Sequence, residues 1–462
     1  MVVGRQTVGE IEYRITIHRD GKRIENAEGA FNFKTFCSGW EIREDFALAT
    51  MEASFMFEDN AGLIAVLSGA EEIRLQASTS TLNRVYKFRV CRVHSRTRAA
   101  QTTDFFIVDC VSDEFVRNEG LSVFGNSDVL FKKTRTAESM VDTLIRSDRF
   151  LNTNKNVYLE ETVNKHSFVA VNWRPLDTIY WIAKRSIRKS KLSGGLQNGF
   201  TFYENALGYH FKSIDRLIDD INNQPRSEKT NFITGVPRLY TYSYSPKGMD
   251  DEVMDPYTFR GVAFPEEKNV LRSMRHGAWS GYTVGFDPVN ISSSKMGLSK
   301  DTTTDDTKYN IEDVWSKMSH LNGKMTVDPI TQMDVSVQEQ VLKPRRVRYT
   351  MLPNQAFDPK FSNNAQPNYQ QLADLEAYQY MRIETLSNTQ LRVNVPGNLD
   401  LYAGCGVEVA LPGTFRIGQK VQLDKRYSGK YLIHKVTHQT AADNTTFNTT
   451  LTLLKDSIIR DK

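Results

Sequence analysis

The stretch LRVNVPGNLDLYAGCGVEVALP at Leu391–Pro412, followed by SGKYLIHKVTHQ at Ser428–Gln439 and FNTTLTLLKDS at Phe447–Ser457, decides the fold class. Leu391, Val393 and Val395 alternate with Arg392 and Asn394. Phe447, Thr449, Leu451 and Leu453 alternate with Asn448, Thr450 and Thr452. Successive side chains on a strand point to opposite faces, so an apolar period of two marks half-buried strands. The same order recurs near the other end of the chain. YKFRVCRVHSRTRAAQTTDFFIVDCVSD at Tyr86–Asp113 and KYLIHKVTHQTAADNTTFNTTLTLLKDS at Lys430–Ser457 share an aromatic strand, a Val and a His, a polar loop with a Thr-Thr pair, and a second strand. This weak repeat suggests two copies of one β unit.

Working outward, residues 1–125 read almost wholly as strands. In GEIEYRITI, Ile11, Tyr13, Ile15 and Ile17 face one way, and Asp20-Gly21 supplies hairpin turn chemistry. Further strands are expected at Met51–Phe57, Ile73–Ala77, Tyr86–Val93 and Phe105–Val111. The apolar period then lengthens to that of a helix. Leu176, Ile179, Tyr180, Ala183 and Ile187 fall at helical spacing behind Arg174-Pro175, and Thr136–Phe150 predicts a second helix. Beyond Gly194-Gly195, GFTFYENALGYHF at Gly199–Phe211 alternates again around a turn at Asn205–Gly208. SSSKMGLSKDTTTDD at Ser292–Asp306 and the polar stretch Pro353–Gln370 read as loops, and Gln371–Met381 as helical. The expected fold is mainly β with helical insertions, of the α+β class. It comprises a first tube-like antiparallel β-barrel (1–125), a helical domain (126–195), a second tube-like barrel in two parts (196–247 and 371–462), and an accessory domain with mobile loops (248–370).

A chain of 462 residues is too long for one core, and 40% hydrophobic with 25% charged residues is a globular composition. The net charge of +4 comes from 59 basic against 55 acidic residues, so the total does not imply a polyanion partner. With no apolar run long enough to span a membrane and no signal-like N-terminus, the expectation is a cytosol-like compartment, unless the protein leaves inside a larger particle. Cys37, Cys91, Cys110 and Cys405 form no zinc-ligand spacing and read as buried free thiols.

No catalytic, cofactor-binding or metal site is assigned. Phosphate-loop, dinucleotide, Gly-x-Ser-x-Gly and His-Glu-x-x-His signatures do not occur. His434 and His438 would share one strand face about 13 Å apart, too far for one ion. The acidic pairs Glu160-Glu161, Asp219-Asp220 and Asp250-Asp251 read as solvated charges. KRSIRKSK at Lys184–Lys191 reads as the outer face of a helix, a solvated or protein-contacting surface before a nucleic-acid one, and KPRRVRY at Lys343–Tyr349 reads the same way. The aromatic stripes at Phe200, Phe202 and Tyr203 and at Tyr240, Tyr242 and Tyr244 fit either a core or a subunit contact.

NWRPLDTIYWIAKRS at Asn172–Ser186, GFTFYENALGYHFKSIDRL at Gly199–Leu217 and the C-terminal stretches quoted above occur in an order that resembles the central baseplate hub proteins of contractile-tailed bacteriophages, which are related to the hub part of VgrG-type spike proteins. The resemblance rests on the order of segments; residues 248–370 depart from it. It implies a homotrimer whose two barrels per subunit make a pseudo-sixfold ring. Such a ring joins a sixfold tail tube, or its initiator protein, to a threefold central spike. The implied partners also include the tape-measure protein and other baseplate proteins, with DNA only in transit and no direct membrane anchoring. The implied location is the virion tail baseplate, assembled in the host cytoplasm, and the implied role is structural, without enzyme activity or cofactor. A hub of a contractile injection or type VI secretion system, and a cell-wall glycan hydrolase with accessory β domains, are the alternatives; a nucleic-acid-binding β protein rests on Lys184–Lys191 alone.

Overall fold

The computed structural model describes residues 11–26, 29–30, 33–62, 67–79, 82–125, 135–163, 165–166, 170–189, 199–227, 236–245, 257–259, 261–265, 269–287, 292–293, 308–323, 326–343, 347–351, 378–387, 389–417, 420–440 and 446–459. The expected loops at Pro353–Gln370 and, beyond Ser293, at 294–306 lie outside them, as does the Asp250-Asp251 pair.

The first β module contains β1 (Glu12–Arg19), β2 (Cys37–Asp45), β3 (Glu52–Asp59), β4 (Glu72–Ser78), β5 (Asn83–Ala100) and β6 (Thr103–Val111). The expected turn forms: Asp20 and Gly21 hold φ of 51° and 75°, the left-handed pair that matches the twist of a tight hairpin. Tyr13, Ile15 and Ile17 point inward with Phe55, Ile73, Leu75, Phe88 and Val108 to make one core. Each such side chain contributes roughly 1.5–3 kcal/mol when fully buried. β2 was not among the expected strands. It is buried on both faces around Gly39-Trp40 and Glu44-Asp45, so it carries no clean period-two signal.

Helices α1 (Asp113–Gly120), α2 (Ala137–Arg146) and α3 (Pro175–Ala183) follow, with β7 (Val157–Leu159) between the last two. Pro175 opens α3, where a missing N–H costs nothing. The Gly199–Phe211 hairpin forms as β8 (Phe200–Asn205) and β9 (Gly208–Ser213), but its partner differs from the expectation. It was placed at the start of the second barrel, whereas β9 pairs in parallel with β7, and Phe200, Phe202, Tyr209 and Phe211 pack with α2 and α3. Its aromatic alternation reports burial without saying against what. Gly208, at φ 133°, lies so close to the Asn156 carbonyl that a Cβ would overlap it. Helix α4 (Ile214–Asn222) is capped by Ser213, whose Oγ accepts from Arg216 N.

The second module uses β10 (Tyr240–Tyr244), β11 (Gly261–Ala263), β12 (Thr389–Pro396), β13 (Gly406–Ala410), β14 (Gly429–Thr440) and β15 (Phe447–Lys455). Tyr242, Phe259, Val393, Val407, Tyr431, Ile433 and Leu451 form its core. The two modules share one sheet, in the order β10-β13-β14-β2-β3-β6-β5-β4-β1, with β15, β12 and β11 branching from β14. The fold is thus β-rich α+β as expected. In residues 270–387, α5 (Val270–His276), α6 (Ile311–Trp315), α7 (Val335–Val341) and α8 (378–386) surround a small core of Trp279, Ile311, Met318, Ile330, Val341 and Met381. The helical expectation at Gln371–Met381 is described from 378 onward, and there it is helical. No helix among the described residues is long and apolar enough to cross a membrane.

Candidate functional site

The residues with the most unusual environments meet where the two modules join. β14 pairs with β15 along one edge. On its other edge it pairs first with β13, from Gly429↔Val409 to Leu432↔Gly406, and then with β2, from Lys435↔Asp45 to Gln439↔Glu41. One extra residue, His434, sits at a β-bulge between these two partners and re-aims the strand. Phe46 N donates to the His434 carbonyl at 3.0 Å, and the two rings meet edge-on with centroids 5.0 Å apart. His434 and Lys435 both approach the Asp45 carboxylate, at 3.4 and 2.9 Å. Burial alone raises the Asp45 pKa, but His434, the Ala47 N–H and Lys435 outweigh it and hold the group at about 2.

His438 is buried beside Phe447, with Nδ1 3.0 Å from Thr449 Oγ1. Burial, helped by Arg84, pushes its pKa down to about 3, so it is a neutral core residue. His434 and His438 therefore do not share one face as expected, because the bulge breaks the alternation between them.

The three stretches that carry the resemblance converge on the turn that follows β2. From α3, the Tyr180 hydroxyl accepts from Ala49 N at 2.8 Å. From β8, Thr201 Oγ1 donates to the Phe46 carbonyl at 2.6 Å, Glu204 N donates to the Leu48 carbonyl at 3.1 Å, and Glu204 Oε2 accepts from Met51 N at 3.1 Å. From the loop before β13, Ala403 N donates to Glu44 Oε2 at 2.9 Å, while the Ala403 carbonyl accepts from Asn205 Nδ2 at 2.9 Å. Glu44 also accepts from Ala206 N, yet burial still lifts its pKa to about 7. Gly404 adopts φ 81°, and a Cβ there would fall on the Tyr203 hydroxyl, so glycine suits the position on both counts.

Two partly buried ionic groups complete the joint. Lys155 Nζ lies 2.6 Å from both Glu114 and Glu204, and Ser112 Oγ donates to the second Glu204 oxygen. Burial lowers the Lys155 pKa, but the attraction of Glu204 and Glu114 prevails and raises it. On the far side, Arg84 of β5 donates to the Tyr402 hydroxyl, Tyr402 donates to Asp400, and Asp400 also receives Tyr240 and Arg238. This chain of bonds runs from the first module to the second through the loop Gly397–Gly406. Arg84 Nη1 is left without a hydrogen-bond partner among the described residues, but the remaining contacts tie these charges to fixed neighbours, an arrangement that stiffens a joint.

A third ionic group fastens α8 and Ser319–His320 to this assembly. Arg382 is fully buried, reaching Asp456 at 3.2 Å, Asp215 at 3.4 Å and the Ser319 carbonyl. Tyr378 donates to Asp215 at 2.7 Å, and His320 stands 2.8 Å from Asp456.

Several charge expectations are corrected. Helix α3 stops at Ala183, so Lys184–Lys189 present no helix face; Ser190 and Lys191 lie outside the described residues. Arg188 instead bridges Glu160 at 2.8 Å and Asp219 at 2.7 Å with a side chain only 12% exposed. Glu160 is consequently not a solvated charge: it also accepts from Ser213 N, and burial raises its pKa. Asp220 pairs with Lys212 and Arg216, whereas Glu161, its side chain 72% exposed beside Lys189, is the solvated charge expected. In KPRRVRY, residues 344–346 lie outside the described residues, and Val347–Met351 is a strand. Cys37 and Cys110 are buried, Cys405 is partly buried, and Cys91 is exposed, against the expectation of four buried thiols.

Lys155, Glu114 and Arg382 had no sequence signal, because their charged partners lie 41 residues or more away along the chain and their local context looks ordinary. Glu204 and Asp400 had one: each is a lone acid inside an apolar run, FTFYENA and LDLYAG.

No family model matches the chain, and no curated protein matches it. Among solved structures it is similar to the tail protein from Neisseria meningitidis MC58, at 10% identity and a TM-score of 0.49, over 96% of this chain and 97% of that one. It is similar to the 43 kDa tail protein of prophage MuSo2 from Shewanella oneidensis, at 9% identity and a TM-score of 0.49, over 96% and 99%. It is also similar to an E. coli component of the type VI secretion system, at 10% identity and a TM-score of 0.41, over 92% and 76%. By their descriptions, two of these are tail proteins and one is a secretion-system component.

Proposed function

We propose that this chain is the structural hub of a phage-type tail baseplate, a mechanical adaptor and not a catalyst. One observation carries the reading. From Arg89 to His94 the β5–β6 hairpin has the same register and the same bulge as the β14–β15 hairpin from Leu432 to Thr437. Val90↔Cys110 and Arg92↔Asp109 flank Cys91 in one, and Ile433↔Leu453 and Lys435↔Thr452 flank His434 in the other. Each hairpin takes its next strand at the equivalent place, Arg89↔Glu72 and Leu432↔Gly406. A chain holding two such units edge to edge supplies two similar segments of a ring, so three copies supply six. A sixfold tube can then sit on one side of the ring and a threefold spike on the other. The order of the sequence motifs supports this reading, and the ionic groups that tie the two modules together at the joint suit a part that bears force. In this role the channel passes the tape-measure protein and then DNA, residues 248–370 reach neighbouring baseplate proteins, and the particle assembles in the host cytoplasm before release in the virion.

The test is the mass and image of the purified chain, alone and mixed with its spike protein. The expected result is a hollow ring of about 158 kDa, three times the 52.8 kDa chain. A stable monomer with no affinity for a spike protein refutes the reading. Clearing of a peptidoglycan suspension that is lost on Glu204→Gln would move it to a glycan hydrolase. Genes for a phage tail or for a secretion apparatus beside the coding sequence separate the two kinds of hub.

A further inference from the structure

The duplicated hairpins are matched on every edge but one. In the second module, the edge of β14 beyond its bulge is covered by β2 of the same chain. The equivalent edge of β5, beyond Cys91, has no strand partner among the described residues; β4 ends its pairing at Arg89. Arg92 and Ser95–Ala100 are exposed there. An open edge of unpaired N–H and C=O groups is a template for another strand.

The strand that fits this edge can be read from the same equivalence. β2 lies on β3, which lies on β6; β11 lies on β12, which lies on β15. Carrying the register across, Gly39↔Met56 corresponds to Gly261↔Asn394. The sequences agree in pattern: GWEIRED at Gly39–Asp45 and GVAFPEE at Gly261–Glu267 each read Gly, apolar, any, apolar, any, then two acids. Their surroundings differ in the way an unfilled joint predicts. Gly39, Trp40 and Ile42 are buried, whereas Gly261, Ala263 and Phe264 are exposed, and a Cβ on Gly261 would meet nothing.

We infer that Gly261–Phe264 of a second copy of this chain adds as an antiparallel strand to the edge of β5 at Ser95–Arg98. This reproduces between chains the β14·β2 joint found within one. The inference rests on the ring reading, since a two-sided contact repeated head to tail closes only into a ring. A register shift between His94 and Thr97, with Ser95 at φ 56°, bends the free edge, and Arg92, Arg96 and Arg98 flank it. Bulges and charges of this kind keep an edge from pairing indiscriminately while a strand of matching curve still fits.

The test is disulfide trapping in the full-length chain with Cys91→Ser. Because the bulge moves the register by a residue, Arg96→Cys and Thr97→Cys are each combined with Ala263→Cys; directly opposed strand residues fall within disulfide reach. One of the two double variants is expected to give covalent dimers and trimers on mild oxidation, and the single variants none. Phe264→Asp, exposed in the lone chain, is expected to keep the far-UV spectrum and weaken self-association about tenfold. A trimer by mass that neither double variant traps, or one that Phe264→Asp leaves unchanged, overturns this junction and leaves the ring standing. A monomer throughout overturns both.

Discussion

Arg382→Met isolates the contribution of the ionic staple that holds α8 and Ser319–His320 to the second module. The methionine keeps most of the apolar stem, so the main change is loss of the cation between Asp215 and Asp456, both fully buried. Removing one partner from a buried pair costs about 3–5 kcal/mol, because the remaining charge has neither water nor a counterion. His320 still faces Asp456, while Asp215 keeps only neutral donors, Tyr378 and Ser319 N, which places the larger penalty on Asp215. In the native protein, burial raises the Asp456 pKa, but His320 and Arg382 override it and hold the group low. Without Arg382 the Asp456 carboxylate loses one of the two cations that hold its pKa low, so that pKa rises. A raised carboxylate binds more protons in the folded state, so the loss shrinks as pH falls. Urea unfolding followed by tryptophan fluorescence, at pH 7.5 and pH 5.5, reads both effects; Trp279 and Trp315 lie in the attached region. The expected result is a loss of about 3–5 kcal/mol at the higher pH that shrinks at the lower one. A loss below about 1 kcal/mol, the value of a surface pair, or one that grows on acidification, refutes the reasoning.

Lys455 is buried with its ammonium on the carbonyls of Arg426 and Ser428, and burial lowers its pKa to about 7. A depressed amine costs stability that appears as pH falls from the free value toward 7, so native stability should rise between pH 7 and 10, and Lys455→Met should flatten that slope in urea titrations. Gly404→Ala combines a left-handed φ with a collision against Tyr203. It should lower stability by about 2–3 kcal/mol, seen as a drop in Tm, and Tyr203→Phe should restore part of it by removing the struck oxygen.

Element types were legible wherever burial has one period and one side. β1, β12 and β15 alternate because one face meets a core and the other meets solvent or a polar layer, and α3 announces itself through Pro175 and its apolar stripe. β2 escaped because both its edges are paired and both faces are covered near Trp40 and Glu44, which erases alternation. The basic run at Lys184–Lys189 misled for a related reason: spacing continued the helical pattern past Ala183, while the chain turned so that Arg188 could reach Glu160 and Asp219.

The sequence by itself determined that this chain is β-rich, that a similar hairpin occurs near each end, and that a small helical layer lies between them. Those properties depend on side chains a few residues apart, where periodicity and turn chemistry act. Only the tertiary structure decided that the β8–β9 hairpin packs against the helices, that β14 leaves β13 at a bulge to seize β2, and that Lys155, Arg382 and Asp400 close the joints. A strand edge or a buried charge has many locally acceptable partners, and the choice among them is made by which arrangement buries both modules while leaving the fewest polar groups unmatched.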